Sequence, residues 1–169
     1  MKQAIFITGF NNWGKTTIIE DLFNNRKRYY QGKYYKIGGI NANFTVETHS
    51  NDDYWSTWTQ VISKRITNEK VSDLNLFTAL CPTMHPKNNF IDLLSNHIFQ
   101  NYDQLHLFLL EYKWEHHAKL MIDNIINSGK TIPKINFVTI NADQNLSDTK
   151  DRHDAKIKQI KQELMKIFP

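Results

Sequence analysis

Apolar and polar positions along this chain alternate between two rhythms. Short apolar runs at residues 4–8, 74–81, 105–112 and 135–140 have the length and β-rich composition of strands. The run at 105–112, Leu-His-Leu-Phe-Leu-Leu-Glu-Tyr, is nearly continuous, the pattern of a strand buried on both faces as in a parallel sheet. Residues 34–48 are also β-like, with Gly38-Gly39 either a hairpin turn or a bulge in one longer strand. Between these runs the spacing turns helical. Ile18, Ile19, Leu22 and Phe23 predict a helix over 15–25, and a second amphipathic helix falls at 53–67. Phe90, Leu93, Leu94 and Ile98 predict a helix over 89–100, and another enters at 113 and runs to about 127, punctuated by Gly129 and Pro133. The last helix, 149–167, carries Ile157, Ile160, Leu164 and Ile167 on one face and lysines opposite.

Strand followed by helix, five times over, implies an α/β fold: a mostly parallel five-stranded sheet with helices on both faces, built as a single domain over 1–169. In such a sheet, ligands bind outside the carboxyl ends of the strands. Polar clusters that directly follow strands, at 9–17, 49–53, 82–88, Glu111 and 141–152, are therefore expected to rim one edge.

The first of these clusters is the most specific. Gly9-Phe10-Asn11-Asn12-Trp13-Gly14-Lys15-Thr16, continued by Thr17, fills every fixed position of G-x-x-x-x-G-K-[ST] and lies between a strand and a helix. A loop closing on polyphosphate must turn many backbone N–H groups inward, and Gly9 and Gly14 permit an approach that a Cβ would obstruct. The helix start adds unpaired N–H groups and the positive end of its dipole. On residues 4–25 the chain resembles the P-loop NTPase superfamily, in the manner of a small nucleotide or nucleoside kinase. The resemblance implies that Lys15 reaches the β/γ oxygens and that the Thr16 hydroxyl meets Mg²⁺, with ATP as the default nucleotide. Asn11 and Asn12 tolerate left-handed backbone. Trp13 is bulky for its position, and either stacks on a base or ribose or packs against a neighbouring loop.

Such a site also needs an acid. Glu111, after Leu107–Leu110, fits the metal-binding position with Glu in place of Asp, or else pairs with Lys113 or Lys119. Asp52 and Asp53 compete as groups that orient an acceptor, although either could simply cap the helix behind them. Arg152, with Lys150 beside it, is the candidate for a basic lid residue on the transferring phosphoryl group. The 141–147 loop is placed to contact the base, but Asn141-Ala142-Asp143 departs from the signature that reads guanine. His116-His117 diverge by about 100° on a helix and lack ligand spacing, which argues against zinc. His49 and His85 are lone histidines on polar loops.

Composition adds limits. A net charge of +4 permits anionic partners without demanding nucleic acid. The single cysteine, Cys81, excludes an internal disulfide, and its apolar setting reads as an inert buried thiol. No apolar run approaches the roughly 18 residues needed to span a membrane, and a cytoplasmic protein is expected. The functional expectation is Mg-dependent ATP binding with phosphoryl transfer to a small-molecule or nucleotide acceptor. The alternative is a nucleotide-dependent ATPase switch acting with a protein or nucleic-acid partner.

Overall fold

The computed structural model describes residues 1–67, 74–114 and 118–169. His116 and His117 fall outside that set. Five strands form one all-parallel sheet: β1 (Gln3–Thr8), β2 (Phe44–Glu47), β3 (Asn75–Leu80), β4 (Gln104–Leu110) and β5 (Ile135–Ile140), in the spatial order β2-β3-β1-β4-β5. The helices are α1 (Lys15–Leu22), α2 (Asn51–Tyr54), α3 (Trp58–Thr67), α4 (Phe90–Leu94), α5 (Ile122–Gly129) and α6 (Thr149–Ile167). The expected three-layer α/β/α arrangement is therefore present. Among the described residues no helix is long and apolar enough to cross a membrane.

Burial explains the strand patterns. Every residue of β1 and β3 is buried, because each lies between two other strands and under helices on both faces. Strand β5, at the edge, is only partly covered. The chain leaves β1 toward the β2 edge, whereas the connections leaving β3 and β4 run the opposite way. Right-handed crossovers then put α1 on one face and the intervening helices on the other, opening a crevice above β1. Helix α6 returns to the α1 face and packs against α1.

Several elements differ from expectation, each for a tertiary reason. Tyr34–Ile37 is not a strand; Tyr35 makes only an isolated antiparallel bridge to Phe44, and β2 keeps four residues. The tyrosine is drawn inward instead, where Tyr29 and Tyr35 join Phe23, Phe44 and Phe77 in a cluster of edge-to-face rings. The helix expected over 53–67 breaks at Trp55, whose φ of 46° ends α2. Among the described residues the helix expected from 113 starts at Ile122: the Tyr112↔Lys119 bridge and the Leu120 N–H to Glu111 carbonyl bond of 2.7 Å pair residues 111–113 with 118–120 as the two arms of a hairpin.

Inside the sheet, His106 on β4 spans three strands. Its Nε2 lies 2.8 Å from Gln3 Oε1 on β1 and its Nδ1 lies 3.0 Å from Asn136 Nδ2 on β5. That pairing uses one ring nitrogen as donor and the other as acceptor, so it suits neutral imidazole and leaves no acceptor for a second proton. Burial lowers the His106 pKa from 6.5 to about 4. The unfolded chain takes up a proton below about pH 6.5 while the folded chain resists it, so stability is full above that pH and falls as pH drops toward 4. We expect His106→Gln to flatten the decline in stability between about pH 6.5 and 4, measured by denaturant unfolding across that range.

Candidate functional site

The loop after β1 turns sharply enough to need special backbone. Asn12 (φ 60°) and Gly14 (φ 81°) are left-handed, whereas Asn11 is not. At Gly9 the constraint is space: a Cβ there would sit 3.1 Å from Trp13 Cβ. Trp13 is only 6% exposed, edge-on to Phe10 at 6.2 Å, so it packs within the loop rather than standing open to a ligand. Among the described residues no side chain caps the start of α1 at Gly14, which leaves the first-turn N–H groups of Lys15, Thr16 and Thr17 facing the cleft.

Lys15 is buried, and its Nζ donates to the carbonyls of Gly9 and Phe10 at 2.8 Å each. Burial lowers its pKa, and the charge of Asp52 opposes that shift. Thr16 Oγ1 donates to the Thr48 carbonyl at 3.3 Å, joining α1 to the end of β2.

The acids across the cleft come from α2. Ser50 caps this helix in a capping box: its N–H donates to Asp53 Oδ2 at 2.9 Å, which assigns Asp53 a structural bond. Asn51 is fully buried and locks α2 to the loop after β3. Its Oδ1 accepts from the Cys81 N–H at 2.7 Å, and its Nδ2 donates to the Cys81 carbonyl at 3.1 Å. Asp52, between these two fixed residues, accepts from Ser50 Oγ. Burial raises the Asp52 pKa, against the pull of Lys15. Burial, with Asp52 adding to it, pushes the Cys81 thiol up to about 11, so it stays protonated and unreactive at neutral pH.

The third wall combines the hairpin after β4 with the start of α6. Trp114 donates from its indole Nε1 to the Asn12 carbonyl at 2.8 Å, and its ring lies beside Gly14. Asp148 caps α6 by accepting from the Asp151 N–H at 3.0 Å, and His153 reaches Asp21 of α1 at 2.5 Å. The three walls enclose a cleft of about 970 Å³. Its lining includes Asn11 to Thr17, Ser50, Asp52, Asp53, Lys113, Trp114 and residues 148–150 and 153.

Two candidates lie elsewhere. Glu111 is not in the cleft lining but pairs with Lys119 at 3.0 Å, because the chain turns into the hairpin at this point and carries the carboxylate with it. Arg152 is 5% exposed and cannot act as a lid on a ligand. It pairs with Asp143 at 3.2 Å and donates to the Lys113 carbonyl at 2.8 Å. Lys156 joins the same carboxylate at 3.1 Å and donates to the Tyr112 carbonyl at 2.8 Å. The 141–147 loop thus contributes a buried anion to the hairpin's foundation. The 82–88 loop stays outside the lining and contributes support through Asn88, bonded to Asn51.

Trp114, Thr149 and His153 had no role in the sequence reading. The signal for Trp114 is an indole in a polar segment just past a strand end, which the expectation of a helix from 113 obscures. Comparison of the chain with protein-family models, curated proteins and solved structures finds no match.

Asp143 answers two buried cations, and its own Oδ1 has no partner among the described residues. Removing one partner of a buried ion cluster strands the others, at a cost of about 3–5 kcal/mol. Asp143→Ala is expected to lower unfolding free energy by that amount in denaturant titration.

Proposed function

We propose that this chain is a P-loop protein that binds ATP with Mg²⁺ and transfers the γ-phosphoryl group to a small-molecule or nucleotide acceptor. The observation that supports this reading is the convergence in one cleft of an uncapped helix start, a lysine folded into a glycine-flanked loop, and a partly buried carboxylate. The first two suit a polyphosphate: N–H donors and a mobile cation converge where negative charge is to be held. The third suits an acceptor hydroxyl. At about 970 Å³ the cleft lies at the upper end of the roughly 300–1,000 Å³ of small-molecule sites, which leaves room for donor and acceptor together.

In this reading Lys15 leaves the Gly9 and Phe10 carbonyls to neutralise the β/γ oxygens. Asp52, its carboxylate made more basic by burial, takes the acceptor's hydroxyl proton. The acceptor oxygen bonds to the γ-phosphorus as the bond to the β–γ bridging oxygen breaks, and ADP leaves. Thr16 fits a magnesium ligand, because its hydroxyl proton is directed to Thr48 and its lone pairs remain for a cation. Thr16 would hold the cation together with water and nucleotide oxygens. Mg²⁺, when bound, supplies neutralisation of phosphate charge.

Mg-ATP is expected to raise the melting temperature of the wild-type protein, by the equivalent of about 2.7 kcal/mol at one hundred times Kd. Lys15→Ala should lose that shift; an undiminished shift in the variant would overturn the assignment of the loop. Asp52→Asn should lower acceptor-dependent ADP formation by about 10²–10⁴-fold while the Mg-ATP shift persists. ATP turnover with no acceptor present, unchanged in Asp52→Asn, would instead mark an ATPase switch.

A further inference from the structure

The cleft has two chemically different ends. Asp52 and Asp53, which follow β2, lie at one, Lys113, Trp114, Thr149 and His153, which follow β4 and β5, at the other, and the glycine-flanked loop after β1 lies between them because β1 lies between those strands. Resting on the functional reading above, a nucleotide can lie in this cleft in only one sense. Its γ-phosphoryl group must reach the acceptor beside Asp52, so its ribose and base extend toward Trp114.

We propose that Trp114 is the stacking platform for the nucleotide's base. Three aromatic rings line the cleft among the described residues, Trp13, Trp114 and His153, and the imidazole of His153 is engaged with Asp21. Trp13 is packed away, whereas Trp114 stays partly exposed. Its indole is tied to the loop, and the main chain just before it is tied to α6. The Nε1–H bond to the Asn12 carbonyl ties the indole to the loop. Behind it, Arg152 and Lys156 grip the Lys113 and Tyr112 carbonyls while both cations are anchored on Asp143. An indole fixed in this way has surrendered its rotational freedom before a ligand arrives, which strengthens stacking. A base stacked on an aromatic face gains affinity largely independent of base identity, since every base presents a π-face. Stacking on Trp114 therefore favours a nucleoside triphosphate, ATP included, over inorganic polyphosphate without itself choosing among bases.

Isothermal titration of wild type, Trp114→Ala and Trp114→Phe with Mg-ATP, Mg-GTP and Mg-tripolyphosphate separates the possibilities. Stacking predicts that wild type binds both nucleotides at least about tenfold more tightly than tripolyphosphate. Trp114→Ala should lose about that factor for the nucleotides and stay within about twofold for tripolyphosphate, while Trp114→Phe retains most nucleotide affinity. Equal weakening of all three ligands in Trp114→Ala would mean that the indole only shapes the loop, and would overturn the proposal. Unchanged nucleotide affinity would overturn it as well. If wild type bound ATP and tripolyphosphate equally, stacking would fail while the phosphate site stood; if it bound neither, both readings would fall. Should Trp114→Ala not fold, fluorescence carries the test. Mg-ATP, but not Mg-tripolyphosphate, should quench a component of the indole emission that Trp114→Phe lacks, and absence of that difference would overturn the proposal.

Discussion

An ammonium group buried against a loop is costly unless polar groups surround it. Here the carbonyls of Gly9 and Phe10 meet Lys15, and they can do so only because the chain doubles back through Asn12 and Gly14 in left-handed conformation. Loop shape and lysine burial are thus one interaction seen from two sides. The helix that follows inherits its unpartnered N–H groups from the same turn, since Gly14 offers no side chain to cap them. The polar chemistry of the cleft is organised around that point.

Two braces of opposite chemistry hold the surroundings. On the acid side the brace is neutral: Asn51 spends its amide on the Cys81 backbone and on Asn88, so α2 presents Asp52 without placing charge in the interior. On the hairpin side it is ionic, with one carboxylate serving two cations that in turn hold main-chain carbonyls. Such clusters give little net stability, yet losing a member is costly, which suits a device that fixes geometry. The His153–Asp21 contact of 2.5 Å closes the circuit by joining α6 to α1.

The loop, strands β1, β3, β4 and β5 and helices α1 and α6 are readable in the sequence because each depends on neighbours in sequence. A strand buried on both faces must be apolar throughout, and a turn with φ near 80° at Gly14 favours glycine. Glu111 and Arg152 misled for a common reason. A charged residue just past a strand looks the same whether it faces a ligand or an internal partner, and only the partners' positions decide between them. Arg152 meets Asp143, nine residues earlier, and Glu111 meets Lys119 across a hairpin that local propensity did not favour.

What the sequence determined by itself is the parallel α/β framework and the glycine-flanked turn with its lysine, because hydrophobic period and backbone sterics are local properties. The tertiary structure alone decided which acids share the cleft, which tryptophan is packed and which stays partly exposed, and that residues 111–113 pair with 118–120 beside the loop. Those outcomes depend on side chains far apart in sequence, such as Asn12 with Trp114, meeting only once the sheet order has put their strand ends side by side.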